Sequence, residues 1–266
     1  AGAMVAMLTA CSGSGNITES GLDPAKFDTT INDKPVKLFV LKNKNKAEVC
    51  VTNFGARVVS ICVPNKNNQL TDVVLGFDNI HNYADSANTP SDFGAAIGRY
   101  ANRINKGQIT VGGKKIQLPT NNYGHCLHGG PSGWQYSVYD GTQENDSTVK
   151  LMLNSPDGDN NFPGNVTATV TYTLTSDNTL DMKFEATTDK ETVINMTNHS
   201  YFNLSGDPSK PGTNMVLYIN ADKYTPADST FMTTGEIKDV YGTPMDFTKR
   251  HALYETIADS SFQQIK

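Results

Sequence analysis

The sequence predicts an all-β protein, a large antiparallel β-sandwich, and three observations support this fold class. Short stretches of alternating apolar and polar residues recur along the chain, whereas helical periodicity is scarce. Turn-forming residues separate these stretches, so the 22 glycines and 12 prolines of the 266 residues belong to turns. Neither a fixed-period repeat nor an internal boundary follows residue 30, and residues 31–266 are predicted to form one domain.

The first predicted strands form a hairpin, with residues 37–41 (KLFVL) and 47–51 (AEVCV) as its two arms. Residues 58–63 and 72–77 are predicted to be the next two strands. The mostly irregular stretch 78–106 that follows is too long for an ordinary connection. Because ordered loops of such length are often functional, we expect it to contribute to a site.

Further strands are predicted beyond this loop. Residues 107–118 predict a hairpin in which Gly112 and Gly113 supply the positive φ angles of the turn. Residues 166–173 and 180–186 alternate almost without fault, which predicts one face in a core and the other in a polar environment. The remaining predicted strands are residues 192–197 and 215–219.

The first residues predict a processing signal. Residues 1–10 are apolar, end in small residues and are too short to cross a bilayer. They lead into Leu8-Thr9-Ala10-Cys11, which resembles a bacterial lipobox, and a Ser-Gly tether follows. Residues 1–11 are therefore expected to be part of a lipoprotein signal peptide and residues 12–30 a tether. The alternative is an accidental apolar start with a free cysteine.

A lipid at Cys11 would hold the protein at a bacterial membrane, and we expect a periplasmic protein on the outer membrane. Signal peptides begin with Met and a basic segment, yet this sequence opens at Ala1 and has no Lys or Arg before Lys26. We therefore expect that its first residues are missing.

The net charge and the cysteine spacing limit the kinds of ligand that the sequence predicts. The net charge is −5 and the basic residues are scattered, so no nucleic-acid partner is predicted. The cysteines show no CxxC or Cys/His ligand spacing, and neither a metal nor a cofactor is expected. Cys50 and Cys62 lie in neighbouring predicted strands as buried apolar residues, with a disulfide between them as the alternative.

Polar residues suited to chemistry cluster in residues 98–103 (GRYANR), 121–130 (NNYGHCLHGG) and 195–204 (NMTNHSYFNL). Each segment follows or ends a strand, so their side chains are expected in a shared cleft. Histidine suits proton transfer near neutral pH, and arginine offers a rigid fork of donors. Trp134 and Tyr136 offer aromatic faces for a sugar ring. A structural role for each histidine and arginine remains the alternative at this point.

The successive motifs IGRYANRI, NNYGHCLHGG, SPDGDNNFPGN, VTYTL and NMTNHSYFNL resemble those of aldose 1-epimerases, in the family's order, from about Lys34 to Ile265. The resemblance implies a supersandwich, the galactose mutarotase-like β-sandwich, with the sugar in an open cleft. It also implies a cofactor-free enzyme that interconverts the α and β anomers of a free aldohexose such as galactose or glucose. The ring would open and close by acid–base chemistry.

Residue by residue, the resemblance implies that His199 is the general acid that protonates the ring oxygen and that His128 acts beside it. Arg103 and its neighbour Asn102 would bind the substrate. His125 stands where the family varies, and no role is assigned to it.

In the family, the general base and an acidic substrate ligand come from segments nearer the C-terminus, and the sequence ends at Lys266 before either motif. We therefore expect the sandwich to be incomplete at its C-terminus and the base to be absent from this chain. The polypeptide alone is expected to have little activity and to aggregate through exposed strand edges.

Two other functions stay open. An epimerase of a phosphorylated or otherwise modified sugar would need a cluster of cations, for which Arg99 and Arg103 are the only nearby pair. A non-catalytic carbohydrate-binding sandwich is the third hypothesis, because a fold does not determine a function. The oligomeric state is not predicted by the sequence.

Overall fold

The computed structural model describes residues 17–89 and 91–258, together with residues 262 and 264. The predicted signal segment 1–11 with Cys11, and the first part of the predicted tether, lie outside the described residues. Across the described ranges, no helix is both long enough and apolar enough to span a membrane.

Short β-strands dominate the described chain, as predicted. In order, the strands are β1 (Thr29–Ile31), β2 (Lys34–Val36), β3 (Leu38–Lys42), β4 (Glu48–Thr52), β5 (Arg57–Pro64), β6 (Leu70–Asp72), β7 (Ala96–Ile97), β8 (Arg103–Ile104), β9 (Gln108–Val111), β10 (Lys114–Gln117), β11 (Cys126–Leu127), β12 (Asp140–Asn145), β13 (Thr148–Ser155), β14 (Val166–Leu174), β15 (Leu180–Thr188), β16 (Thr197–Asn198), β17 (Val216–Leu217), β18 (Lys223–Tyr224), β19 (Lys238–Asp239) and β20 (His251–Ala252). The α-helices are α1 (Ile80–Ala84) and α2 (Tyr254–Ile257), and 3₁₀ helices span Pro24–Phe27, Asn105–Gly107, Trp134–Tyr136, Asp159–Asn161 and Gly212–Asn214.

Two four-stranded antiparallel sheets form a sandwich, with strand orders β3-β4-β5-β6 and β12-β13-β14-β15. Apolar side chains from both sheets meet in one core, which confirms the predicted fold class. The alternation predicted for β14 is also confirmed. Every second side chain of the strand, starting with Val166, is buried, and the four between them are half-buried. Core members from the two sheets include Phe39, Leu41, Val49, Val51, Val149, Leu151, Val170 and Tyr172.

The two predicted hairpins are confirmed. Strand β3 pairs with β4, and β9 pairs with β10. At the tip of the second hairpin, Gly112 and Gly113 have φ angles of 56° and 74°, the region that glycine enters without steric cost.

The tether predicted for residues 12–30 is wrong for residues 17–30, which pack against the first sheet. Leu22 and Phe27 are buried on its outer face, opposite the sandwich core. Asp23 caps the 3₁₀ helix Pro24–Phe27 by accepting a hydrogen bond from the Ala25 N–H. Full burial of a phenylalanine contributes ~1.5–3 kcal/mol to the attachment of this segment.

Some predicted strands are shorter in the structure. The strand predicted over residues 72–77 ends at Asp72, and only an isolated bridge between Val74 and Phe202 continues the pairing. The strands predicted at 192–197 and 215–219 reduce to β16 and β17, of two residues each. In the long loop 78–106, α1 has five residues, which is too short for helical periodicity to reveal.

Cys50, Cys62 and Cys126 are buried free thiols, so the apolar interpretation of Cys50 and Cys62 is confirmed over the disulfide. Burial raises the pKa of both the Cys50 and the Cys62 thiol to about 12. In the described part of the chain, β15 leaves its outer edge unpaired along nine residues. Aggregation through such an edge stays a prediction.

Candidate active site

His128 is positioned by the pairing of two very short strands. Strand β11 pairs with β8, which brings His128, the next residue, alongside Asn102. The His128 N–H donates to the Asn102 carbonyl oxygen at 3.1 Å, and the Asn102 N–H donates to His128 Nδ1 at 3.0 Å. Both residues have positive φ angles, 53° for His128 and 66° for Asn102, which permit this reciprocal arrangement. The backbone of Asn102 therefore orients the His128 ring.

This hydrogen bond fixes the tautomer of His128. Because Nδ1 accepts an N–H, the neutral ring carries its proton on Nε2. Burial lowers the pKa of His128; the Asp92 carboxylate raises it, and the nearby charges of His199 and Arg103 lower it. At neutral pH, His128 is therefore a neutral hydrogen-bond donor through Nε2.

His199 is held by the loop that also carries Asn102. Strand β16 pairs with β7, and beyond this pair the His199 N–H donates to the Ala95 carbonyl oxygen at 2.8 Å. The Gly94 N–H donates back to the His199 carbonyl oxygen at 3.1 Å. The rings of His199 and His128 lie edge to face, with centroids 5.2 Å apart and planes at 90°. One loop thus fixes both imidazoles.

Arg103 is half-buried beside this pair. Its Nε and Nη2 donate to Asn122 Oδ1 at 3.2 and 2.7 Å, and its guanidinium carbon lies 5.2 Å from the Phe231 ring centroid. Its positive charge is one of the causes that lower the pKa of His128. The structure therefore brings together His128, His199 and Arg103, the three residues from which the sequence predicts a site.

Asn102 is placed differently from its predicted role. Its side-chain oxygen accepts a hydrogen bond from the Arg103 N–H at 2.8 Å. Its visible contribution is to orient His128 and the start of the Arg103 strand. Substrate binding by Asn102 stays a prediction.

Trp134 does not line the site. It is 1% exposed and lies against Gly98, where an added Cβ would be 1.9 Å from Trp134 Cε3. The prediction that Trp134 stacks on a sugar is therefore wrong, because the indole is part of the core. Tyr136 lines an open cavity of about 470 Å³ together with Asp92 and Tyr201.

Arg99 and His125 also serve the scaffold. Arg99 is 1% exposed, and its guanidinium donates to the carbonyl oxygens of Pro163, Gly164 and Pro156 and to Ser155 Oγ. His125 is buried; its Nδ1 accepts the Lys106 N–H, and its Nε2 lies 2.9 Å from Thr230 Oγ1. Neither side chain is available in the cleft.

Two site residues were missed by the sequence reasoning. Asp92 Oδ2 lies 3.9 Å from His128 Nε2. Tyr201 is 45% exposed, and its ring centroid is 5.2 Å from that of His199. A signal existed for both, because Asp92 belongs to the long loop expected to be functional and Tyr201 to the same motif as His199.

Asp92, His128 and His199 have the spacing of metal ligands, since one ligand atom from each lies within 4.8 Å of the others. The hydrogen bond at His128 Nδ1 argues against this use. A neutral imidazole has one lone pair for coordination, and in His128 that lone pair is on Nδ1 and already accepts the Asn102 N–H. Nε2 would have to lose its proton to bind a metal, so the cluster is better suited to a hydroxyl-bearing ligand.

Comparisons with known proteins agree with this geometry. A family model described as aldose 1-epimerase matches residues 37–266. The curated aldose 1-epimerase of Escherichia coli (strain K12) is 37% identical over 234 residues, which cover 88% of this chain and 66% of the relative. The galactose mutarotase of Mus musculus is 36% identical over 214 residues, which cover 80% of this chain and 61% of the relative. The chain thus spans somewhat less than two thirds of the length of these relatives.

Solved structures give the same result for the fold. A GalM/aldose epimerase homologue from C. elegans superposes with a TM-score of 0.78 at 32% identity, covering 83% of this chain and 66% of that one. The galactose 1-epimerase from Lactobacillus acidophilus NCFM has a TM-score of 0.78 at 30% identity, covering 89% of this chain and 68% of that one.

Proposed function

Because the chain belongs to the aldose 1-epimerase family, we propose that the protein interconverts the α and β anomers of a free hexose such as galactose or glucose. The observation that carries the proposal is the pair of imidazoles, His128 and His199, with ring centroids 5.2 Å apart beside Arg103. Opening a hemiacetal requires only proton transfers and charge stabilisation, which such a cluster can supply.

In the proposed reaction, His199 donates a proton to the ring oxygen while a base removes the proton of the C1 hydroxyl. The bond between C1 and the ring oxygen breaks, and C1 becomes the aldehyde carbon. Rotation about the C1–C2 bond and closure by the reverse proton transfers give the other anomer. The resemblance implies that the base is a carboxylate from a segment nearer the C-terminus than the motifs named above. Each proton transfer contributes ~10²–10⁴-fold to the rate.

His128 and Arg103 complete the proposed site without transferring protons. The His128 Nε2–H is fixed by the Asn102 hydrogen bond and donates to a sugar oxygen. Arg103 is held by Asn122, and its guanidinium binds sugar hydroxyls through its remaining donors. Both stabilise the negative charge that develops as the C1 hydroxyl loses its proton.

Replacement of His199 tests the proposal. In a chain extended with the C-terminal segments of an aldose 1-epimerase relative, which are expected to supply the base, His199→Asn should reduce turnover ~10²–10⁴-fold, measured by polarimetry with freshly dissolved α-galactose or α-glucose. Sugar affinity should change much less, since the acid acts mainly in the transition state. His81→Asn is the matched control, because His81 is exposed on α1. Unchanged turnover in His199→Asn would contradict the assignment, and a non-catalytic binder would show no turnover in any variant.

The structure favours a free sugar over a phosphorylated one. Of the two cations near the motifs, Arg99 is buried and donates to backbone oxygens, so Arg103 alone faces the cleft. A phosphate group is usually bound by several donors and cations. An uncharged hexose is the better match.

We further propose that the protein is lipid-anchored at Cys11 and faces the periplasm, most simply at the outer membrane. Support comes from the order of apolar segment, small residues, cysteine and Ser-Gly stretch in the sequence. Metabolic labelling with a fatty acid in a bacterial host should label the protein and not its Cys11→Ser variant. Equal labelling of both, or of neither, would contradict the anchor.

A further inference from the structure

The backbone that carries the Asp92 side chain is held in place on both sides. Arg57 is fully buried, and its Nη1 donates to the carbonyl oxygens of Ser91 and Phe93, both at 3.0 Å. These are the residues on either side of Asp92, so one guanidinium fixes the backbone on both sides. The Ala95 N–H donates to the Asp92 carbonyl oxygen at 3.0 Å and closes the turn. Such preorganisation is typical of residues that contact ligands.

The carboxylate itself has room for a ligand. The Asp92 side chain is 28% exposed, and it borders the open cavity of about 470 Å³. Its Oδ2 lies 3.9 Å from His128 Nε2, which is too far for a direct hydrogen bond. A proton donor and a charged acceptor therefore face each other across a gap.

The size of that gap matches one hydroxyl group. A hydroxyl oxygen accepts an N–H at ~2.9 Å and donates to a carboxylate at ~2.7 Å. With an angle of ~90–105° at the hydroxyl oxygen, the two outer atoms lie ~4.0–4.4 Å apart by this geometry. The observed 3.9 Å lies just below this range, so the two side chains would need to separate by only ~0.1–0.5 Å to admit the hydroxyl. A hydroxyl can accept from His128 and donate to Asp92 at the same time, as a bridging water also can.

We propose that Asp92 is a substrate-binding residue, whose carboxylate accepts a hydrogen bond from a hexose hydroxyl that in turn accepts the His128 Nε2–H. This inference rests on the proposed function and adds an acidic sugar ligand within the described part of the chain. The pairing also explains why His128 is held as the Nε2–H tautomer: the opposite tautomer would offer no donor to the bridging hydroxyl.

The first test is direct binding of galactose and glucose to the purified protein, measured by calorimetric titration. Polarimetric KM and kcat are measured on the chain extended with the C-terminal segments of a relative. Asp92→Ala should weaken affinity and raise KM ~10- to 100-fold, the range for losing a hydrogen bond to a charged group. Its kcat should fall much less, as expected for a residue that binds ground and transition states alike. Asp92→Asn keeps an acceptor oxygen and should lie between wild type and Asp92→Ala. Asp181→Ala removes an exposed carboxylate on β15 and is the matched control.

A deoxyhexose series makes the test specific. If one hydroxyl bridges His128 and Asp92, the Asp92→Ala penalty should persist for every deoxy sugar but one and nearly vanish for that one. A penalty of the same size for all sugars, or no penalty for any, would overturn the proposal and leave a bridging water as the occupant of the gap. Sugar binding without turnover in a chain that also carries the C-terminal segments of a relative would contradict the proposed function while leaving the Asp92 test intact.

Discussion

Arg99 and Arg103 belong to one loop and one motif, yet they lie in contrasting halves of it. The first half, residues 94–99, is buried, and Arg99 donates to backbone oxygens around residues 155–164. The second half, residues 100–104, reaches the cleft, where the Arg103 guanidinium lies between Asn122 and Phe231. Both residues are arginines, so the residue type does not tell which of them belongs to the scaffold and which to the site. Their burial does. In the proposed function, the buried half sets the positions at which the cleft half would bind a sugar.

Of the variants that test this contrast, those of Arg99 are expected to show the largest effect, a loss of stability. Arg99→Met leaves several buried carbonyl oxygens without a donor, so the free energy of unfolding should fall by ~4 kcal/mol. Arg99→Lys keeps the charge without the fork and should lose about half as much. Denaturant titration followed by circular dichroism measures both, and an unchanged midpoint in Arg99→Met would refute the scaffold role.

Arg103 should show the opposite pattern. In Arg103→Met, kcat/KM for galactose or glucose should fall ~10²-fold, equivalent to ~2.7 kcal/mol of transition-state stabilisation. The free energy of unfolding should change by ~1 kcal/mol, much less than in Arg99→Met, since Arg103 is half-buried whereas Arg99 is fully buried. If this variant lost stability as Arg99→Met does, the two halves of the loop would not differ as proposed.

Gly98 tests how tightly the buried half is packed. In Gly98→Ala, the new methyl group would lie 1.9 Å from Trp134 Cε3, so the loop or the indole must move. Overpacking of this kind costs ~1–3 kcal/mol. Gly212→Ala is the matched control, because its nearest neighbour would be Met215 Cε at 3.5 Å. Equal stability of the two variants, measured by thermal unfolding, would show that the contact relaxes freely.

The smallest expected effect concerns Asp72, a scaffold carboxylate outside the loop. Burial raises its pKa, although the backbone N–H groups of Ile61 and Val74 donate to Oδ1 at 2.9 and 3.3 Å. A raised folded-state pKa means that ionisation costs stability once the pH exceeds the unfolded-state value of ~3.9. Asp72→Asn should therefore raise the free energy of unfolding at pH 7 by under ~1 kcal/mol, and the gain should disappear below pH ~3.5. A gain that persists at low pH would point to another cause.

Local patterns were enough to predict much of the fold. The alternation in β14 and the glycine pair between β9 and β10 are short-range signals, and the strand and the hairpin that they predict are both present. The attachment of residues 17–30 was not predictable in this way. It depends on Leu22 and Phe27 meeting a face of the first sheet, a contact that no local pattern encodes.

In the candidate active site, too, some residues were predictable from local motifs and others depend on tertiary contacts. His128, His199 and Arg103 were predictable because each lies in a distinctive motif. For Asp92 the sequence indicated only the functional loop and not the contact with His128, because its position depends on the buried Arg57, which lies in β5 and contacts the loop only in the folded chain. Likewise, the stacking prediction for Trp134 failed because an aromatic residue near a motif can face the core as readily as the ligand.

The packing of Trp134 on Gly98 also provides a built-in optical probe. The sequence contains a single tryptophan, so intrinsic indole fluorescence reports on one place in the molecule. That place is the buried underside of the loop that positions both imidazoles. Its emission should be blue-shifted in the native state and should shift to the red whenever this loop lifts. Stopped-flow mixing with sugar could then follow motion of the catalytic loop without any attached dye.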